Sequence, residues 1–166
     1  MRVRWRGTRL LSSLIGLVCV TALVACANGT TSKPPVETAA TTGPVTVTTN
    51  LSAYGVNDAI GVTVTNSSST DYYAVSGKSA CVIIQLERYN TTKEVWEPVD
   101  GCSSPGTAQV FAIAKNSQQQ FTLAPNSSAD LNAWVAGLYR VAVTYSANSD
   151  GVTDPQRAWC AAFSIH

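Results

Sequence analysis

The chain has 166 residues, 45% hydrophobic and 13% charged, with 11 basic and 10 acidic side chains. So even a balance offers no basic face for a nucleic-acid backbone, which needs clustered Lys and Arg, and the length suffices for one modest core. Four of the basic residues, Arg2, Arg4, Arg6 and Arg9, crowd the first nine positions; the rest of the chain holds the other 7 with all 10 acidic ones, a net charge of −3.

The apolar stretch Leu10–Ala25 follows those arginines. Its 16 residues are interrupted only by Ser12, Ser13, Gly16 and Thr21. That is short of the roughly 20 residues that span a bilayer as a helix, and it suits the apolar region of an export signal. It ends in Leu23-Val24-Ala25-Cys26. This tetrapeptide resembles the lipobox of a bacterial lipoprotein signal peptide. The resemblance implies that residues 1–25 are removed, Cys19 with them, and that Cys26 becomes a lipid-bearing N-terminus at the extracytoplasmic face of a cell membrane. Anchoring would come from acyl chains, at about 0.8 kcal/mol per buried CH₂. The remaining chain lacks the Lys/Arg cluster that an electrostatic grip on anionic lipid needs.

Residues 26–44 are rich in Thr, Pro, Ala and Gly, with Val36 the only sizeable apolar side chain past the cysteine. Such a segment buries too little surface to fold and reads as a flexible linker. From Val45 to His166 the character changes to one β-domain. Val45–Thr49 and Ile60–Thr65 alternate β-branched apolar and polar residues. Val82–Leu86, Glu94–Val99, Tyr139–Tyr145 and Trp159–Ile165 continue the pattern. Period-two alternation of Val, Thr, Ile and aromatics marks strands. Asn, Ser, Gly, Asp and Pro fill the gaps. Ala129–Gly137 is the one place that suits a helical turn. Seven to nine strands over this length predict an antiparallel β-sandwich.

The best-defined local element is a hairpin around Asn90-Thr91-Thr92-Lys93. With these four as the turn, Glu87 faces Trp96, Ile84 faces Val99 and Cys81 faces Cys102. Opposed strand residues can approach the Cα spacing a disulfide needs, and an exported chain sits where disulfides persist. A Cys81–Cys102 disulfide is therefore expected, closing a loop of roughly 20 residues and contributing about 3 kcal/mol. Cys160 is then the odd cysteine. It reads as a small half-buried thiol, a partner of Cys81 or Cys102, or a reactive or intermolecular thiol. On an unbroken last strand it shares a face with Ala158, Ala162 and Ser164, opposite Trp159, Ala161, Phe163 and Ile165.

The order of these features resembles a bacterial immunoglobulin-like domain. It runs from Val45-Thr46-Val47 through Ile60–Asn66 and the cysteine-led Cys81…Leu86-Glu87-Arg88. Trp96-Glu97-Pro98-Val99, Leu123–Ser128, Gly137-Leu138-Tyr139-Arg140-Val141 and Phe163-Ser164-Ile165 complete it. The chain departs from the family pattern at Ala136, where Pro is usual, and at Asn126, where Gly is usual. The resemblance implies a fold and leaves activity open; such sandwiches include proteinase inhibitors, adhesins and modules appended to enzymes.

Residues for chemistry are few. A Cys₃His zinc site from Cys81, Cys102, Cys160 and His166 lacks any Cys-x-x-Cys pair and uses the terminal residue. The only methionine is Met1. Asp150-Gly151-Val152-Thr153-Asp154 reads as a polar turn in preference to a calcium loop. The sole histidine, His166, stands at the end of the chain, away from any Ser/His/Asp relay, and Glu87 and Glu94 read as an exposed, solvated pair on the hairpin. No cofactor and no enzymatic activity are expected. Asn-x-Ser/Thr triplets start at Asn28, Asn50, Asn66, Asn90 and Asn126 and read as polar β-surface. Asp71-Tyr72-Tyr73 is the candidate recognition patch, through Tyr72 and Tyr73. The expectation is a tethered, non-catalytic module for a protein or glycan ligand. A proteinase-inhibitor-like sandwich presenting a loop at Ser103–Ala108 is the alternative.

Overall fold

The structure is a computed structural model and describes residues 39, 43–76, 83–99, 108–125 and 133–166. The expected leader, the expected lipidation position Cys26, nearly all of the expected linker, the cysteines Cys81 and Cys102 of the expected disulfide, and residues 103–107 of the expected inhibitory loop lie outside the described residues. Eleven strands and no α-helix occur among those described: β1 (Val45–Thr49), β2 (Ala53–Tyr54), β3 (Ile60–Asn66), β4 (Tyr72–Val75), β5 (Ile84–Asn90), β6 (Val95–Pro98), β7 (Val110–Ile113), β8 (Ser117–Leu123), β9 (Gly137–Tyr145), β10 (Gln156–Trp159) and β11 (Phe163–Ile165).

Alternation does what it should. On β3 the buried positions are Ile60, Val62, Val64 and Asn66, every second residue. That strand lies between β1 and β8 in a three-stranded antiparallel sheet. A second sheet runs β2-β11-β9-β5-β6, with β10 also on β9. All its pairings are antiparallel except β2 on β11. β4 and β7 form a separate two-stranded ribbon. Val45, Val47, Ile60, Val62 and Val64 from the first sheet meet Leu86, Tyr139, Val141, Val143, Phe163 and Ile165 from the second in one core. The fold is all-β, with two layers across a shared apolar interior.

Several expectations need correction. The hairpin turn is Thr91–Glu94, one residue later than expected, so Glu87 faces Pro98 and Trp96 faces Tyr89. The cause is local. Asn90 Oδ1 accepts the N–H groups of Thr92 and Lys93, each at 3.0 Å, so Asn90 ends the strand and opens the turn. Glu94 closes it at φ 56. The pairing moves by two positions, an even number, so every side chain keeps its face. The register that set Cys81 opposite Cys102 is not the one observed.

The last strand is not continuous. Trp159 pairs with Ala142, but Phe163 pairs with Tyr139, so three residues on one side oppose two on the other. This is a β-bulge at 160–162. The extra residue reverses the phase: Ala158 and Cys160 point inward before it, Phe163 and Ile165 after it, while Ala161 is exposed. Together with the short β2 and the ribbon, the bulge raises the strand number above nine.

The described end of the expected helical turn, Ala133–Ala136, is irregular. Trp134 pins it, donating its backbone N–H to Val56 O at 2.8 Å and its indole N–H to Asp58 O at 2.8 Å. His166 is tied down, its N–H donating to Tyr54 O at 3.0 Å. A further correction concerns Glu87.

Candidate functional site

Glu87 lies on the face of the second sheet that turns away from the core, as do Tyr89 on the same strand and Arg140 and Ala142 on β9. It is nevertheless only 3% exposed, and Arg140 only 7%. The two sit directly opposite across β5 and β9. Arg140 Nε donates to Glu87 Oε2 at 2.7 Å, and Arg157, on β10, donates through Nη2 to Oε1. Both carboxylate oxygens are thus engaged by guanidinium groups. A carboxylate removed from water needs such partners, because an uncompensated buried charge is strongly destabilising. Glu87 and Glu94 therefore do not form a solvated pair: one is a buried ion-pair centre, the other a turn residue.

Two indoles roof this ion pair. The Arg140 guanidinium lies 4.5 Å from the ring centre of Trp96, on β6, and 5.0 Å from that of Trp159, on β10. A guanidinium between two aromatic faces is held by cation–π attraction. Trp96 also meets Tyr89 at 5.3 Å, tilted by 59°. The Trp159 indole N–H is buried without an acceptor. Beside this cluster, Arg88, Tyr89, Asn90, Thr91 and Glu97 line a shallow open depression of about 220 Å³. Lys93 Nζ and Asn90 Nδ2 donate to Glu97 there, at 2.8 and 3.0 Å, and hold its carboxyl below the ordinary glutamate range. The outward face offers aromatic rings and guanidinium groups, while Arg88, Asn90 and Glu97 occupy the opposite phase of β5 and β6.

The tyrosine patch separates. Tyr72 and Tyr73 are adjacent on β4 and so point to opposite faces. Tyr72 packs on the core and meets Tyr145 edge-on at 5.3 Å. Tyr73 stays half-buried and exchanges two backbone hydrogen bonds with Ser146, each 2.8 Å. Cys160 is a free thiol, 1% exposed, and its two candidate partners lie outside the described residues. Its Sγ accepts the Val141 N–H at 3.1 Å, and its own N–H donates to Val141 O at 3.0 Å. The sulfur thus supplies an acceptor for Val141 at the bulge. Burial pushes the thiol pKa up, against smaller opposing effects of the Val141 and Cys160 N–H groups and the Arg140 charge.

Three of the asparagines in glycosylation-like triplets are structural. Asn66 is fully buried: its amide donates to Thr70 O and Ile113 O at 2.8 and 2.9 Å, and its oxygen accepts from Ser68 N and Oγ at 3.0 and 2.8 Å. Asn50 Oδ1 accepts from Gly61 N and Tyr54 Oη, and Asn90 caps the hairpin turn. Asp150 accepts from Val152 N, Thr153 N and Thr153 Oγ1. The Thr153 bonds lead in holding its pKa down. No group of three or more His, Cys, Asp or Glu side chains gathers as a metal site among the described residues.

The buried Glu87–Arg140 pair was hidden from the sequence because it depends on which strand pairs with β5. Parity along each strand was the available signal: Glu87, Tyr89, Trp96, Arg140 and Trp159 all sit on the outward phase of their own strands.

No protein-family model matches the chain, and no curated protein matches it. Among solved structures the chain is similar to a β-glucosidase from Erythrobacter marinus, at 15% identity over 75% of this chain with a TM-score of 0.31. The match spans 15% of that enzyme's length, and a likeness this slight carries no argument about fold family or activity.

Proposed function

We propose that the chain is a lipid-anchored extracytoplasmic protein presenting an immunoglobulin-like, non-catalytic binding module to a protein or glycan partner. The observation that carries the module is Tyr139. Its hydroxyl donates at 2.5 Å to the carbonyl of Val135, four residues upstream, at the entry to β9. Such a tyrosine corner, at the start of strand F, is a hallmark of immunoglobulin sandwiches. Strand order supports the same reading. β1, β3 and β8 take the places of strands A, B and E, while β11, β9, β5 and β6 take those of G, F, C and an added C′.

The anchor rests on Leu23–Cys26 behind its arginine-led apolar stretch. The Cys81–Cys102 disulfide stays part of the proposal on the export argument alone. The binding surface moves from Tyr72/Tyr73 to the outward face around Trp96, Arg157 and Trp159, since aromatics and arginine are enriched at interfaces.

Two measurements test this. Cells expressing the full chain should hold it in the membrane fraction and label it with palmitate, whereas Cys26→Ala should do neither. Retention of both by the variant removes the anchor. The soluble chain from residue 27 onward should co-sediment with isolated cell envelopes, and Arg157→Ala, at a side chain 40% exposed, should weaken that several-fold with an unchanged circular dichroism spectrum. Absence of wild-type co-sedimentation removes the binding reading.

A further inference from the structure

Asp154 stands at φ 49, in the left-handed region, and is followed by Pro155. Residues before proline are pushed toward extended conformations, and positive φ is itself uncommon for a residue with a Cβ. Such a conformation persists where its surroundings over-determine it, and here both flanks are fixed. On one side Asp150 grips Val152 N and Thr153 N at 2.9 and 3.0 Å, and Thr153 O accepts from Ser146 Oγ and Asn148 Nδ2. On the other, Gln156 begins the β10 ladder opposite Tyr145. Asp154 and Pro155 are both exposed, and theirs is the only Asp–Pro bond in the chain.

We propose that the fold makes the Asp154–Pro155 bond a self-cleavage site. The Asp154 side-chain carboxyl attacks its own backbone carbonyl carbon to form a five-membered cyclic anhydride. The C–N bond to Pro155 breaks, and the carboxyl proton passes to the proline nitrogen, which leaves as a basic secondary amine. Water then opens the anhydride, restoring the Asp154 side chain and creating a new terminal carboxylate. The net reaction is addition of one water, with no oxidant or cofactor. The nearest charged groups on the loop and the following strand are engaged elsewhere: Asp150 turns back on the backbone, and Arg157 turns to Glu87. The released segment Pro155–His166 carries β10 and β11, and its Ala158, Cys160, Phe163 and Ile165 are buried. The product is therefore a nicked domain that holds together, cut between β9 and β10.

The test is mass spectrometry of the full chain at the lowest pH at which near-UV circular dichroism still reports the native fold. The Pro155–His166 fragment should accumulate about tenfold faster from native protein than from the same chain in urea, the factor that 1.36 kcal/mol of relieved strain supplies. Asp154→Asn keeps the side-chain shape without the acid and should remain whole. Asp154→Gly, which accepts positive φ, should fold and remain whole as well. Equal or slower cleavage of the native chain overturns the proposal, and so does cleavage of Asp154→Asn at the wild-type rate.

Discussion

Glu87 is the residue on which most of the outward face depends. Replacing it with Ala leaves Arg140 buried under two indoles without its carboxylate, and removing one partner of a buried pair destabilises by about 3–5 kcal/mol. The expected result is a lower urea midpoint at unchanged m-value. Asn66 makes the same point for a neutral group. Asn66→Ala removes the buried amide donor to the Ile113 carbonyl and the acceptor of Ser68 N, and should destabilise by about 1–3 kcal/mol, the cost of an unsatisfied buried group, again read from urea melts. Cys160 titrates in the opposite sense to a paired acid. Burial raises its folded-state pKa, so the stability gained by keeping the thiol neutral is complete below the unfolded cysteine's value, about 8.5. It is lost as pH rises through the folded value. Between about pH 8.5 and the onset of tyrosine ionisation near 10, the wild type should lose stability that Cys160→Ala does not. Parallel pH slopes for the two would remove the thiol as the cause.

At the scale of elements, the bulge at 160–162 decides the C-terminal edge. One extra residue lets Ala158 and Cys160 face inward on one side and Phe163 and Ile165 on the other. Deleting the exposed Ala161 forces one of these pairs outward. With each large apolar side chain contributing about 1.5–3 kcal/mol by burial, the deletion should lower stability by more than about 3 kcal/mol, or prevent folding, as judged by near-UV circular dichroism. Strands with strong alternation were legible almost to the residue: Val45–Thr49 agrees in full, and Ile60–Thr65 falls one residue short. β8 was not, because Ser117-Gln118-Gln119-Gln120 carries no apolar period and is recruited by pairing with β3. β4 was read as a recognition patch because its alternation is short, and only the ribbon partner β7 makes it a strand. The hairpin turn was misplaced by one residue, since Asn90 suits either a turn position or the cap that precedes it.

For the whole molecule, the sandwich joins residues far apart in sequence: β3 to β8 through Val62 and Phe121, β5 to β9 through Leu86 and Val141. The chemistry it displays outward is an ion-paired, indole-roofed face. If the chain is exported as proposed, non-reducing peptide mapping should link Cys81 to Cys102 and leave Cys160 as a free thiol that alkylates only on unfolding; a link from Cys160 to either would reverse that assignment. The sequence by itself determined the all-β class, the antiparallel layers and most of the core, because alternation and β-branched residues act locally. Only the tertiary structure decided the burial of Glu87, the separation of Tyr72 from Tyr73 and the inward turn of Cys160. Each depends on which strands become neighbours and in what register, and that is fixed by packing across the whole chain.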